Sequence, residues 1–495
     1  MQEESEKKTY GSSIRDRSLS GIRWTLAQTV FVALLGPVSQ IVKARFLVPE
    51  ELGVVAVFMM VYGLLHTIEN AGIGQSIVQK ESLDRAERFT YLIIAAASGL
   101  LGALLLFAIA EPAARLFRTP EAAILLRLSG PLLFFALVDQ YFRAILHRQL
   151  LFRGQTIVES GKRVLNLILL VIFLGMGFGP IGVAHAMLLS TVVGAVALFF
   201  LTFVRGDLSF EYRWAPSATA HLISFGLPIA AKQIFTYVTH RADEFIIGIF
   251  LNPSTLGIYH LAKETLQRLQ GLITSSFSRV LLSLFSRIRD DRQRLTLIYT
   301  RISIVVSYFG ISIFLGLALT AGSVVPAVFG PQWTAAVPVF QVLSIALIPI
   351  VLTANLSSSL LYSVGSSKSV LVADILVNVP YLGLLAILGR SGLTAVIALY
   401  TVYCIAKGIA LQGLSNRRLT MTMVSHILIY ARVLARVAVM AAAVIGAGLL
   451  IPPDWSVASR AITQIAVGAC SMIVVTLFTD RQVVTEIKTL FHRTH

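Results

Sequence analysis

Charge is what this sequence has least of: 13% of its 495 residues are Asp, Glu, Lys or Arg, where a soluble globular protein carries roughly 25%. With 56% hydrophobic residues and a mean hydropathy of +0.79, the shortage demands long segments almost free of charge. That is a membrane composition. Since a spanning helix needs about 20 apolar residues, a chain of this length holds about 14 spans and leaves no room for a separate soluble catalytic or nucleotide-binding domain. Cysteine is nearly absent. Cys404 and Cys470 both fall in apolar runs, so neither a disulfide framework nor a Cys-based metal site is available. No His/Glu cluster has metal-ligand spacing, and no GxxxxGK[ST] element cradles a phosphate, so direct ATP drive is not expected. The polar stretch Met1 to Ser20 lacks the apolar core and small-residue cleavage site of a signal peptide, which makes the first apolar run a retained helix.

The apolar runs predict spans at 22–42, 52–74, 89–110, 123–146, 157–175, 181–204, 221–250, 256–283, 297–319, 334–361, 370–388, 393–413, 428–450 and 459–478. The fold class expected is therefore an all-α polytopic membrane protein of about 14 helices. With the N-terminus in the cytoplasm, 30 of the 41 Lys and Arg fall on the inside, 6 on the outside and 5 within membrane segments. So large an asymmetry predicts cytoplasmic N- and C-termini. It also accounts for most of the net charge of +16, which removes the motive for nucleic acid as a partner.

An internal echo organises the chain. Phe46, Leu47, Pro49, Leu52 and Gly53 recur as Phe250, Leu251, Pro253, Leu256 and Gly257. Phe117, Ala122 and Ala123 are echoed by Phe329, Ala335 and Ala336, and Gly182 by Gly392, at similar offsets. Six spans separate the copies, an even number, so the expectation is a parallel repeat about an axis along the membrane normal. The expected organisation is a cytoplasmic segment (1–20), a six-helix bundle (21–204), a cytoplasmic linker (205–220) and a second six-helix bundle (221–414). Two additional helices (415–480) and a cytoplasmic tail (481–495) follow. Two such bundles facing each other across a cavity suit alternating access.

Charges inside a bilayer cost about 2.5 to 3.5 kcal/mol each on insertion scales, so they normally face protein or a wet cavity. The seventh span is richest in them. At 100° per residue Lys232, Thr236, Thr239 and Asp243 fall on one side, Gln233, Tyr237, His240 and Glu244 on the adjoining strip, and Arg241 just beyond. The eighth span adds Lys263, Glu264, Gln267 and Arg268. One reading makes Lys232, Arg241, Lys263 and Arg268 a cationic lining for an anionic substrate, tuned by Asp243 or Glu244. The other makes them structural ion pairs, because Arg241 and Glu244 are three apart and Glu264 and Arg268 four apart. In the first bundle Arg127 is a further substrate-binding candidate, and Glu69 and Asp139 are candidates for ion coupling. Glu69 also suits the membrane interface, and Asp139 a pair with Arg143. Asp374, sharing a face with Asn378, could bind an ion or cap its helix.

Enzymology finds little support, because a membrane glycosyltransferase or polymerase would present carboxylates in sizeable external loops and the outside loops here are short. A membrane-embedded glycan polymerase or ligase is the alternative function from another class. A drug or small-cation exporter is a third, for which an acidic lumen would be expected.

Several residues in order carry a family resemblance: Gly21 and Trp24; Ala44, Arg45, Leu47, Pro49 and Gly53; Gly72, Ile77 and Gln79; Arg148, Leu150, Phe152 and Glu159. The second half supplies Phe225, Gly226, Asp243, Gly248, Leu256, Gly257, Tyr259 and Ala262, then Ser286, Arg287 and Asp291, then Phe329, Gly330 and Trp333. The chain resembles the polysaccharide-transport branch of the multidrug/oligosaccharidyl-lipid/polysaccharide exporter superfamily, the Wzx-like flippases of colanic-acid and succinoglycan type. The resemblance implies flipping of undecaprenyl-diphosphate-linked oligosaccharide repeat units in the bacterial inner membrane. It also implies drive by an ion gradient, with H+ or Na+ as the coupling ion and no resident cofactor. Implied partners are the lipid-linked oligosaccharide, membrane lipids, and the polymerase and chain-length proteins of polysaccharide assembly. Ser283 stands where the family often has proline, and the ninth span lacks the usual proline near Phe309.

Overall fold

The computed structural model describes residues 31–479 apart from 33, 70, 71, 206–208 and 453, and gives only the backbone at 69, 274–280 and 479. The expected N-terminal segment, the C-terminal tail, most of the first half of span 1 and part of the linker lie outside the described residues, as does the Glu69 side chain. Everything described is helix, turn or irregular chain, with no strand. The chain forms two compact units, Met1–Gly257 and Ile258–His495.

In the first unit α1 (34–46) leads to α2 (Pro49–Glu69), a proline start followed by Glu50 and Glu51 in the first turn. The Val48 N–H donates to the Glu51 carboxylate at 3.0 Å, satisfying an orphan donor of that turn. A short α3 (Ile73–Gln79) precedes α4 (Arg85–Leu116), where the Asp84 N–H donates to the Glu87 side chain at 3.2 Å as in a capping box. α5 (Pro120–Leu128) and α6 (Gly130–Arg148) meet at a 40° bend. α7 (Phe152–Gly175) and α8 (Gly179–Arg205) follow, then α9 (Pro216–His221), one π turn, and α10 (Leu227–Phe250). The Tyr237 hydroxyl on α10 donates to the carbonyls of Met59 and Met60, at 3.1 and 2.9 Å, and so ties α10 to the middle of α2.

The echoed segments touch. A Cβ added at Gly53 would lie 2.6 Å from the carbonyl carbon of Pro253, and one at Gly257 would lie 2.9 Å from the carbonyl carbon of Pro49. Backbone meets backbone at both positions, which only glycine permits.

Helix α11 (Pro253–Ile288) runs into the second unit, which continues with α12 (Arg292–Phe329), α13 (Val337–Ser363), α14 (Ser367–Leu388), α15 (Leu393–Asn416), α16 (Met423–Leu450) and α17 (Val457–Thr479). Asp291 caps α12 by accepting from the Arg294 N–H at 2.9 Å. The α16 residues Val433, Val437, Met440 and Val444 pack on Tyr308 and Ile311 of α12 and Leu352 of α13, so the two C-terminal helices are bound to the unit's core. Leucine and phenylalanine side chains such as Leu376, Leu449 and Phe478 remain exposed, as a lipid-facing surface requires.

Against the expected 14 spans, ten described helices are long and apolar enough to cross a membrane, or eleven with the bent α5–α6 pair counted as one span. This is a multi-pass membrane protein. Two expected spans fall short for a shared reason. The first half of α7 carries Arg153, Glu159, Lys162 and Arg163, and α11 carries Lys263, Glu264 and Arg268 before a second basic stretch at its end.

Candidate functional site

In the first unit the polar stripe expected on α10 does not share one environment. Lys232, Thr236 and His240 are exposed, whereas Thr239, Asp243 and Glu244 are buried, so burial follows position along the helix and deepens toward its C-terminal half. The Arg241 guanidinium donates to both Glu244 carboxylate oxygens at 2.8 Å, the pairing its three-residue spacing allows. The Asp243 carboxylate accepts from the Glu244 N–H at 2.9 Å.

A second charged group gathers between α6 and α7. Asp139 pairs with Arg143, as its spacing suggested, but both belong to a quartet. Lys162 reaches Asp139 at 2.9 Å and Glu159 at 3.1 Å, and Arg143 reaches Glu159 at 3.0 Å. Asp139 is 1% exposed and Glu159 5%. Two acids and two bases alternate, leaving no net charge to bury, and that is the condition under which such a group is tolerated in a low-dielectric interior. The ring of His66 stacks on that of Tyr62. Lys162 falls within the expected span 157–175, counted with the inside Lys and Arg, and was not a site candidate. The local signals of the quartet were the four-residue spacing of Asp139 and Arg143 and the three-residue spacing of Glu159 and Lys162.

Arg127 sits at the end of α5, with its guanidinium 3.1 Å from Glu111 and 5.6 Å from the Phe107 ring centroid, both partners on α4. Its side chain is 42% exposed, unlike those of the quartet.

In the second unit Lys263 is 1% exposed, and its ammonium lies 5.8 Å from the Tyr259 ring centroid and 5.5 Å from that of Tyr400. An ammonium over aromatic faces is held by the ring quadrupoles, and more strongly where water is excluded. Gln267 donates to the Tyr400 hydroxyl at 3.4 Å, and Arg268 pairs with Glu264 at 2.8 Å one turn away. Asp374 on α14 faces Lys407 on α15 at 3.4 Å, and Lys407 also donates to the Tyr403 hydroxyl at 3.2 Å. Asn378, expected beside Asp374, is buried on the same helix. Among the described residues no group of three or more His, Cys, Asp or Glu is arranged to hold a metal ion.

Each unit thus presents ionisable groups along its long helices. Such groups are expensive in a bilayer, so they face protein or a wet cavity.

A family described as Polysaccharide biosynthesis protein matches residues 42–338. The lipopolysaccharide biosynthesis protein WzxC of Escherichia coli K12 is 25% identical over 336 residues, 67% of this chain and 67% of that protein. The succinoglycan biosynthesis transport protein ExoT of Rhizobium meliloti is 27% identical over 307 residues, 62% of this chain and 61% of that one. Among solved structures, the lipid II flippase MurJ in an inward closed conformation superposes with a TM-score of 0.76 at 14% identity, covering 94% of this chain and all of that one.

Proposed function

The chain belongs to the polysaccharide biosynthesis protein family, and from that premise we propose that it is a flippase for undecaprenyl-diphosphate-linked oligosaccharide repeat units, working by alternating access in the bacterial inner membrane. Support comes from relatives named for polysaccharide biosynthesis and transport, and from a fold shared with a lipid flippase. The proposal includes 14 spans with both termini cytoplasmic, and two six-helix bundles joined by the 205–220 linker. It also includes α16 and α17 as additions to that repeat, and functional contact with the polymerase and chain-length proteins of polysaccharide assembly.

The physical problem is the diphosphate. Desolvating its charge costs far more than the roughly 2.3 kcal/mol per 100 mV that one ion gains in crossing the membrane, so the protein must lower the barrier with compensating cations. The cations must also release the substrate. Lys232, Arg241, Lys263 and Arg268 supply them, at least two lining the translocation path. Asp243 and Glu244 hold them in place or exchange a proton, and Asp139, Asp374 and Glu69 are further candidates for coupling to H+ or Na+. The observation that carries this reading is Lys263, an ammonium 1% exposed on a helix of 36 residues, held by tyrosine faces.

The test replaces each of the four bases by Gln and measures exported polysaccharide and lipid-linked intermediates at matched protein levels. Loss of export with intermediates retained in the inner leaflet is expected for at least two of them. Wild-type export from all four single variants would falsify the cationic-path mechanism.

A further inference from the structure

Away from the charged spans, a cavity of about 320 Å3 opens at one end of the second unit, lined by Arg289, Asp290, Arg292, Leu295, Val364 and Arg418. Its floor is apolar: Leu295 is 1% exposed and belongs to the buried cluster of Phe285, Tyr299, Leu356, Leu360 and Leu419, on which Val364 packs. Its rim is cationic. Three arginines face one carboxylate, Asp290, whose side chain is 95% exposed and pairs with Arg289 at 3.7 Å.

The rim is built in place. The Arg418 guanidinium donates to the Ser366 hydroxyl at 2.9 Å. The loop carrying it is pinned where the Thr420 N–H donates to the Thr296 hydroxyl at 3.1 Å and the Thr300 hydroxyl donates to the Met421 sulfur at 3.0 Å. Each lining residue lies within a turn of a helix end: Ile288 of α11, Arg292 of α12, Ser363 of α13 and Asn416 of α15. Three of these helices, α12, α13 and α15, are long and apolar enough to span, so the cavity lies toward a membrane surface.

The first unit supplies an internal contrast. Helices α4 and α12 both begin on Asp-Arg, Asp84-Arg85 and Asp291-Arg292, 207 positions apart. A cavity of about 580 Å3 lies at the start of α4, lined in part by Asp84, Arg85, Glu87, Glu211, Arg213 and Ser217. There three carboxylates face two arginines, and Glu211 stands 207 positions before Arg418. The same place in the sequence pattern is compensated in one unit and left cationic in the other.

We propose that the second-unit cavity is a binding site for the phosphate of a lipid headgroup, with Arg292 and Arg418 as the principal ligands and Arg289 as a contributor. Guanidinium forks bind phosphate oxygens bidentately. The same chemistry is offered by an anionic phospholipid and by a polyprenyl diphosphate. The site goes beyond the translocation path and does not depend on it.

The experiment uses the full-length protein in nanodiscs of phosphatidylcholine, doped with phosphatidylglycerol or undecaprenyl diphosphate, and reads bound lipid by native mass spectrometry. Removing two arginines from a membrane-surface site is expected to weaken phosphatidylglycerol retention by about thirtyfold in R292Q/R418Q. The R85Q/R213Q variant is expected to retain it at the wild-type level. R292K/R418K, which keeps charge without the fork, should fall between. If the double Gln variant does not fold, R289Q, whose side chain is 61% exposed, replaces it, with about fivefold weakening expected. Preference for phosphatidylglycerol assigns the site to a resident lipid, and preference for undecaprenyl diphosphate assigns it to a lipid-linked substrate. Equal retention by wild type and variant, equal binding of phosphatidylcholine, or inorganic pyrophosphate binding as tightly as either lipid overturns the proposal.

Discussion

The crossing of the two echoed segments can be tested by adding a single methyl group. In Gly53→Ala the new Cβ would lie 2.6 Å from the Pro253 carbonyl carbon and closer still to its oxygen, where ordinary contact begins at 3.4 Å. The obstacle is backbone, so no side chain can swing aside. The two helices must part by roughly an ångström, at a cost near the upper end of the 1–3 kcal/mol typical of overpacking. Gly257→Ala meets the Pro49 backbone in the same way. Each variant should lower the apparent Tm in detergent by roughly 5 °C, read as the monodisperse fraction surviving heating before size exclusion. The double variant should lose less than twice that, because the first parting makes room for the second methyl. Gly383→Ala in the interior of α14, where a Cβ meets nothing within 4 Å, is the control and should be neutral or stabilised by about 0.5 to 1 kcal/mol. Wild-type Tm values for both Gly53→Ala and Gly257→Ala would show that the backbones do not meet.

Three further outcomes are expected. Asp139→Asn leaves Arg143 and Lys162 undercompensated in the quartet and should cost about 3 to 5 kcal/mol, seen as loss of folded protein, with partial recovery in Asp139→Asn/Lys162→Gln. If Glu264 and Arg268 are only a structural pair, E264Q/R268Q should restore folding lost in either single variant; if Arg268 serves transport, folding returns without export. In a Cys470→Ser background, an impermeant thiol reagent on intact cells should label Arg118→Cys and spare Arg289→Cys, and the opposite pattern would invert the proposed topology.

Helix existence was legible in the sequence because lipid leaves backbone polar groups no other partner, so a long apolar run has one structural outcome. Local ion pairs were legible for a similar reason: Arg241 with Glu244 and Arg268 with Glu264 follow from the pitch of one helix. What the sequence hid was distance along the chain. Tyr400 reaches Lys263 from 137 positions away, Lys407 meets Asp374 across two helices, and Lys162 on α7 meets Asp139 on α6. On α10 helical phase says which residues share a side and nothing of how deep each part of that side lies, so exposed Lys232 and buried Asp243 look alike in the sequence.

The charge quartet also bears on how the chain enters its membrane. The first half of α7 carries Arg153, Glu159, Lys162 and Arg163, and at about 2.5 to 3.5 kcal/mol per charge it gains nothing by partitioning into lipid alone. Its compensating groups, Asp139 and Arg143, are on the helix synthesised just before it. Helices α6 and α7 are therefore expected to leave the insertion machinery as a hairpin, the earlier helix waiting at the exit until the later one supplies its counter-charges. Biogenesis would then be ordered by electrostatic neutrality, and the pair would behave as one unit of insertion although hydropathy divides it in two.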